Sequence, residues 1–171
     1  MVFFQRILNL MFIFVLCAVL LGSYCYQYLK HEEPCPLCLL QRLGMIGIGA
    51  ALMMNLRFGI RVQHYGLAIL CAILGRIVAL RQIGLHVCPE FPTFGEPIFG
   101  FDLYVWAFIV FTCSIFSCAV LTIIYGYTKN QEYPPYWNKP EKIAFATLAF
   151  ITFGNVVTTL LECGLSSCDN L

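Results

Sequence analysis

Five stretches of nearly continuous apolar residues, about 7–28, 39–56, 62–80, 103–125 and 143–161, alternate with short polar gaps along this chain. Each approaches the roughly 20 residues that a helix needs to cross a bilayer's hydrocarbon. No period-two alternation marks barrel strands, and a segment in lipid must satisfy its own backbone hydrogen bonds, so all five are predicted to be helices. Arg42 and Arg76 interrupt the second and third, which makes them weaker spans than the first and fourth. The first is a poor cleavable leader: its apolar run is longer than an h-region, and no small-x-small site precedes the polar gap. The expected fold is an all-α integral membrane protein forming a single membrane domain over residues 1–171.

Composition agrees. Hydrophobic residues make up 60% of the chain and charged residues 11%, against about 25% charged in soluble domains. Mean hydropathy is +0.81, which leaves too little polar surface to cover a water-soluble globule. A net charge of +1 without a basic tract gives no sign of a nucleic-acid partner; membrane lipid is the expected surroundings.

Charge distribution supplies the orientation. With the N-terminus cytoplasmic, Arg6, Arg57, Arg61, Lys129, Lys139 and Lys142 fall inside, leaving Lys30 and a helix-end Arg81 outside. That satisfies the positive-inside bias. The acids fall the other way, with only Glu132 and Glu141 inside. Tyr24, Tyr26 and Tyr28 are expected at one membrane interface, and Tyr125, Tyr127, Tyr133, Tyr136 and Trp137 at the other.

This topology sorts the ten cysteines. Cys17, Cys71, Cys113 and Cys118 lie within spans and Cys25 near the end of the first, where thiols act as small packing hydrophobes. Cys35, Cys38, Cys88, Cys163 and Cys168 all lie in outward segments, and the cytoplasmic loops have none. Thiols gathered on one face of a membrane belong to an oxidising compartment.

Cys35-Pro36-Leu37-Cys38 is the pair with chemical content. Pro34 and Pro36 disfavour helix through Cys35 and suit a helix beginning just after it. Cys38 then sits in the first turn of the second span, where free backbone N–H groups and the helix dipole favour a thiolate. Arg42 follows at i+4, on the same face. A guanidinium just inside the bilayer is costly and marks a function by default, such as stabilising the thiolate or bonding a carbonyl oxygen of a redox molecule. The plainer alternative is snorkelling to the headgroups. A lone CxxC cannot complete a tetrahedral zinc site, and no second CxxC or HxxxH appears. A static clip across two residues would constrain little chain.

The run from Glu33 to Arg42, Glu-Pro-Cys-Pro-Leu-Cys-Leu-Leu-Gln-Arg, resembles the signature of the DsbB family of disulfide bond formation proteins. Gly44, Gly47 and Gly49 continue it as a small-residue face suited to close packing. Leu80-Arg81-Gln82 with Leu85-His86 resembles a second family segment, and the likeness extends over about residues 10–125. It implies a four-helix bundle, here with a fifth C-terminal span, that reoxidises a periplasmic DsbA-like thiol oxidase at the bacterial inner membrane. Electrons would pass to a quinone, ubiquinone or menaquinone. Cys38 would face the quinone ring as a thiolate, in a charge-transfer or covalent adduct, while Arg42 and Gln82 would bind the cofactor. His86 at the outer interface is a weaker candidate for proton relay, and Arg76 reads as bundle glue.

The family's second cysteine pair lies in a long loop between the third and fourth helices. Here that loop, about 81–102, is short and holds only Cys88. Its prolines and glycines suit a constrained surface segment, and Phe91, Phe94, Ile98, Phe99 and Phe101 would either lie on the membrane or cap the bundle. The partner-facing pair is expected to be Cys163–Cys168 in the tail; the alternative joins Cys88 to a tail cysteine. Other classes remain open: a vitamin K epoxide reductase-like protein, or a non-enzymatic multi-span protein with structural disulfides.

Overall fold

A computed structural model of the protein describes residues 2–30, 35–87, 98–127 and 138–163. They form five helices: α1 (Val2–Lys30), α2 (Pro36–Phe58), α3 (Val62–Val87), α4 (Leu103–Gly126) and α5 (Lys139–Cys163). All five are long and apolar enough to cross a membrane, as the hydropathy pattern predicts. The chain is a multi-pass helical membrane protein.

The hub of the bundle is α2, which packs against each of the other helices. Its span is 56% buried, against 28% for each of the others, so four helices present most of their surface to lipid and one does not. On one side α3 and α4 pair with each other; α5 packs on α1 and α2 alone. Gly75 of α3 permits the closest approach. A Cβ there would stand 2.2 Å from the ring of Phe111, and one on Gly44 of α2 would stand 3.2 Å from the Gly75 backbone. Both glycines are therefore filled by one buried aromatic from α4.

The three glycines of α2 do not form the single face expected of them. Gly44 and Gly47 turn toward α3, against Gly75 and Cys71, whereas Gly49 meets Leu148 of α5. Five residues of helix rotate a side chain by about 140°, so Gly44 and Gly49 cannot share a face.

The buried residues of α5 are Glu141, Ala144, Leu148, Ile151, Asn155 and Thr158, at alternating spacings of three and four. That stripe is the seam of a helix laid along others, apolar in the middle and polar at the ends. At its first end Arg6 Nε donates to Glu141 Oε1 at 2.9 Å, and Arg6 Nη2 donates to the same oxygen. Glu141 Oε2 accepts the Asn138 backbone N–H at 3.1 Å, the returning half of a capping box. Two charges that the sequence places on the inner side are thus buried against each other.

A second polar cluster ties the same end together. Asn9 Nδ2 donates to Tyr65 Oη at 2.7 Å and to Gln5 O at 2.8 Å, and Gln5 Nε2 reaches Leu121 O of α4 at 3.2 Å. Asn55 Oδ1 accepts the Arg61 N–H and lies 3.0 Å from His64 Nδ1, closing the turn between α2 and α3.

Helix ends outrun the predicted spans, most of all in α3, which continues from Leu80 to Val87. The segment from Arg81 to Val87, read as loop, is helix. Hydropathy sees only the lipid-facing part of a helix, and a buried Gln82 and a half-buried His86 hide the continuation. The described part of the following loop is a tight turn. Ile98 and Phe101 exchange backbone bonds of 2.9 and 3.2 Å across Phe99 and Gly100, both at positive φ. Trp106 Nε1 holds the Ile98 carbonyl at 2.9 Å, while Phe99 is exposed. Among thiols within spans, Cys17 and Cys118 are core, but Cys113 faces outward. Arg76 is on an exposed face of α3, its guanidinium 4.9 Å from the Phe108 ring of α4.

Glu141→Ala removes the carboxylate paired with the buried Arg6 guanidinium and is expected to cost about 3–5 kcal/mol of stability. The double change Arg6→Met, Glu141→Leu should cost less than either single change, as measured by denaturation in detergent micelles. Additive losses would show that the pair has no mutual role.

Candidate functional site

The start of α2 is built by its own sequence. A residue before proline is pushed to extended backbone, and proline itself suits the first helical position. Cys35 accordingly caps α2 at φ −69, ψ 149, with Pro36 beginning the helix. Its sulfur accepts the Cys38 N–H at 3.2 Å, and its carbonyl accepts the same N–H at 2.9 Å. Both cysteines are free thiols, half-buried, in the first turn of the hub helix. The hydrogen bond with Cys38, followed by burial, pushes the Cys35 thiol far above the ordinary range.

Two amides serve the sulfurs. Gln82 Nε2 on α3 points at Cys35 Sγ and Cys38 Sγ, at 3.5 and 3.6 Å. Gln41 Nε2 donates to Gln82 Oε1 at 2.7 Å, which fixes the Gln82 amide with its N–H side toward sulfur. Both glutamines are buried. Near them His86 Nδ1 lies 2.8 Å from Gln82 O, and its ring stacks at 5.0 Å on Tyr104, whose hydroxyl donates to Asp102 Oδ2 at 2.6 Å.

Arg42 lies one turn deeper and is only 7% exposed, so it does not snorkel. Nε donates to Ser23 Oγ at 3.1 Å and Nη2 to Ser23 O at 3.4 Å, while the guanidinium carbon stands 4.1 Å from the Tyr24 ring centroid. Ser23 Oγ in turn donates to Leu20 O at 2.8 Å. The third nitrogen, Nη1, is buried and meets no acceptor among the described residues. Tyr24, expected at a membrane interface, is half-buried beneath Arg42, and its hydroxyl donates to Asn155 Oδ1 of α5 at 3.1 Å.

Cys35, Cys38, Gln82 and Arg42 are thus brought to one end of the bundle by α2 and α3. Gln82 faces the sulfurs rather than the guanidinium. Cys88 and Cys168 lie outside the described residues; Cys163 ends α5, and its side chain lies outside them too. The sequence reading missed Gln41, Ser23, Tyr24 and Asn155. Gln41 and Asn155 carried a signal, each being an amide inside an apolar run, where a polar group needs a partner. A dithiol beside amide donors and a buried cation is equipped for thiol–disulfide exchange and for bonding an electron-rich oxygen.

The family model described as "Disulfide bond formation protein DsbB" matches residues 5–95. The disulfide bond formation protein B of Chromobacterium violaceum is 43% identical over 79 residues, covering 43% of this chain and 47% of that protein. Those of Azoarcus sp. and Marinobacter nauticus are 38% and 39% identical, over 48% and 50% of this chain and 54% and 55% of theirs. The chain spans about half the length of the curated relatives it matches. No solved structure gives a significant match. The match ends before α4, short of the 10–125 suggested by sequence resemblance.

In the reduced protein, Cys35 is expected to resist alkylation until strongly alkaline pH. Cys38→Ala removes the neighbour that raises it most, so the pH of half-labelling should fall toward the ordinary thiol range, about 8.5. Iodoacetamide labelling across a pH series checks this; an unchanged midpoint would sever the two thiols electrostatically.

Proposed function

The chain belongs to the DsbB family of disulfide bond formation proteins, and from that membership we propose that it is a quinone-dependent protein-disulfide oxidoreductase. In this reading it reoxidises a periplasmic DsbA-like thiol oxidase from the bacterial inner membrane, its N-terminus cytoplasmic and its redox cysteines periplasmic. The observation that carries the proposal is the juxtaposition of a free Cys35–Cys38 dithiol with a buried guanidinium one helical turn below it.

The Cys35–Cys38 disulfide takes two electrons and two protons through thiol exchange and becomes the dithiol; the donor thiols close to a disulfide. The thiols that meet the partner are proposed to be Cys163 and Cys168, with Cys88 joined to a tail cysteine as the rival. A membrane quinone, when bound, supplies the acceptor for the two electrons and two protons released as the dithiol closes again. The chain fits such a group: Arg42 Nη1 is a buried charged donor with no acceptor among the described residues, suited to a carbonyl oxygen that gains negative charge. Ser23 and Tyr24 hold the guanidinium in place. Gln82, oriented by Gln41, directs its N–H at the sulfurs, where it favours the charged sulfur over the neutral one.

The test follows the redox state of the pair in the purified protein. Adding a short-chain ubiquinone or menaquinone analogue to the reduced protein should convert Cys35–Cys38 to the disulfide, read by alkylation. Cys35→Ser or Cys38→Ser should abolish quinone consumption driven by a reduced thiol oxidase. Arg42→Met should raise the half-saturating quinone concentration at least tenfold, as expected when a charged hydrogen bond is lost. A pair that keeps one redox state whatever quinone or thiol oxidase is supplied would make it a structural disulfide and end the proposal.

A further inference from the structure

The established likeness stops at residue 95, so α5 lies wholly outside it. Yet α5 packs on the two helices that hold Arg42 and its partners, α2 and α1. Its seat is fixed at three points along one face: Glu141 against Arg6, Leu148 against Gly49, and Asn155 against Tyr24. Gly49 is seven residues beyond Arg42, two turns along the same face of α2. The two α1–α5 contacts ascend together, Arg6 with Glu141 and Tyr24 with Asn155, so α1 and α5 run parallel and α5 brings its second half to the dithiol end.

Asn155 is 5% exposed. Its acceptor oxygen takes the hydroxyl of the tyrosine whose ring underlies the Arg42 guanidinium. A phenol at the mouth of a span has two options: to turn its hydroxyl to the headgroups, or to lie flat under the cation. Only the second gives the guanidinium a π-face, and a tether on the hydroxyl selects it. Ser23, the neighbour of Tyr24 on α1, anchors Nε and Nη2. With both anchors in place, the direction of Nη1 is determined.

We infer that α5 is a working part of the electron-accepting site, with Asn155 acting through Tyr24 as a positioning residue for Arg42. This rests on the reading of Arg42 as the donor to a quinone oxygen. Asn155 touches no reacting atom; it sets where the cation points, and so how well the acceptor is held rather than how fast the thiols close.

A single-turnover experiment on the full-length protein separates these. The protein is reduced, freed of reductant and mixed with a short-chain ubiquinone analogue over a range of concentrations. Remaining thiols are trapped by alkylation. Asn155→Leu should raise the half-saturating quinone concentration about three- to tenfold while the maximal rate stays within about twofold. Tyr24→Phe keeps the ring and loses only the hydroxyl, so it should match Asn155→Leu, and it serves if Asn155→Leu does not fold. The double variant should be no worse than either single one, since both break one connection. Unchanged quinone dependence in both, with Arg42→Met still impaired, would overturn the role of α5 and leave the oxidoreductase reading standing. So would additive effects. An Arg42→Met protein with unaltered quinone dependence would overturn the reading of Arg42 itself, and this inference with it.

Discussion

Inside a bilayer a polar side chain has no water to fall back on, and that constraint decides how these helices are arranged. Lipid is as apolar as leucine, so apolar faces alone give helices little reason to choose one neighbour over another. The choices here are made by polar groups: Arg6 for Glu141, Asn9 for Tyr65, Gln41 for Gln82, Tyr24 for Asn155. Each joins two helices, and together they link α1 to α3 and α5, and α2 to α3. Small residues then let the selected neighbours close up, as Gly44 and Gly75 do around Phe111.

The same constraint shapes the site. A dithiol at a helix start needs nothing exotic: Pro36 and an extended Cys35 are enough. Placing a guanidinium one turn below it is the costly step, and it works because α1 presents a serine hydroxyl, a carbonyl and an aromatic face at the right depth. Being the hub, α2 packs against all four other helices, and that lets it bury the Arg42 charge among partners. The two glutamines make a neutral counterpart on the α3 side, delivering donor character to sulfur without adding a second charge to the interior.

Much of this was legible in the chain. Long apolar runs give the five helices directly, and Cys35, Pro36, Cys38 and Arg42 announce themselves through local spacing. What hydropathy misreads are helix ends and charges that turn inward. Gln82 looks like a loop residue because it is polar, yet it is buried because α2 offers it an amide. Arg6 and Glu141 look like inner-side charges until they are seen to face each other. Arg42 looks free to snorkel until Ser23 and Tyr24 are placed beside it. Ser23, Tyr24 and Asn155 could not be found by spacing at all, since their meaning lies in partners 19 residues and 131 residues away.

The stripe of α5 also carries a measure of length. From Glu141 to Asn155 is two seven-residue steps, about 21 Å of helix, whereas the hydrocarbon of a bilayer is about 30 Å thick. A span that crosses the membrane cannot lift both of these contacts clear of the oil at once. At least one end of the α1–α5 seam must therefore stay where neither headgroup nor water can substitute for the partner. Peeling α5 away from that end would expose a charge or an amide to hydrocarbon. That end of the seam therefore has no cheap detached state, and it holds α5 in its register on α1.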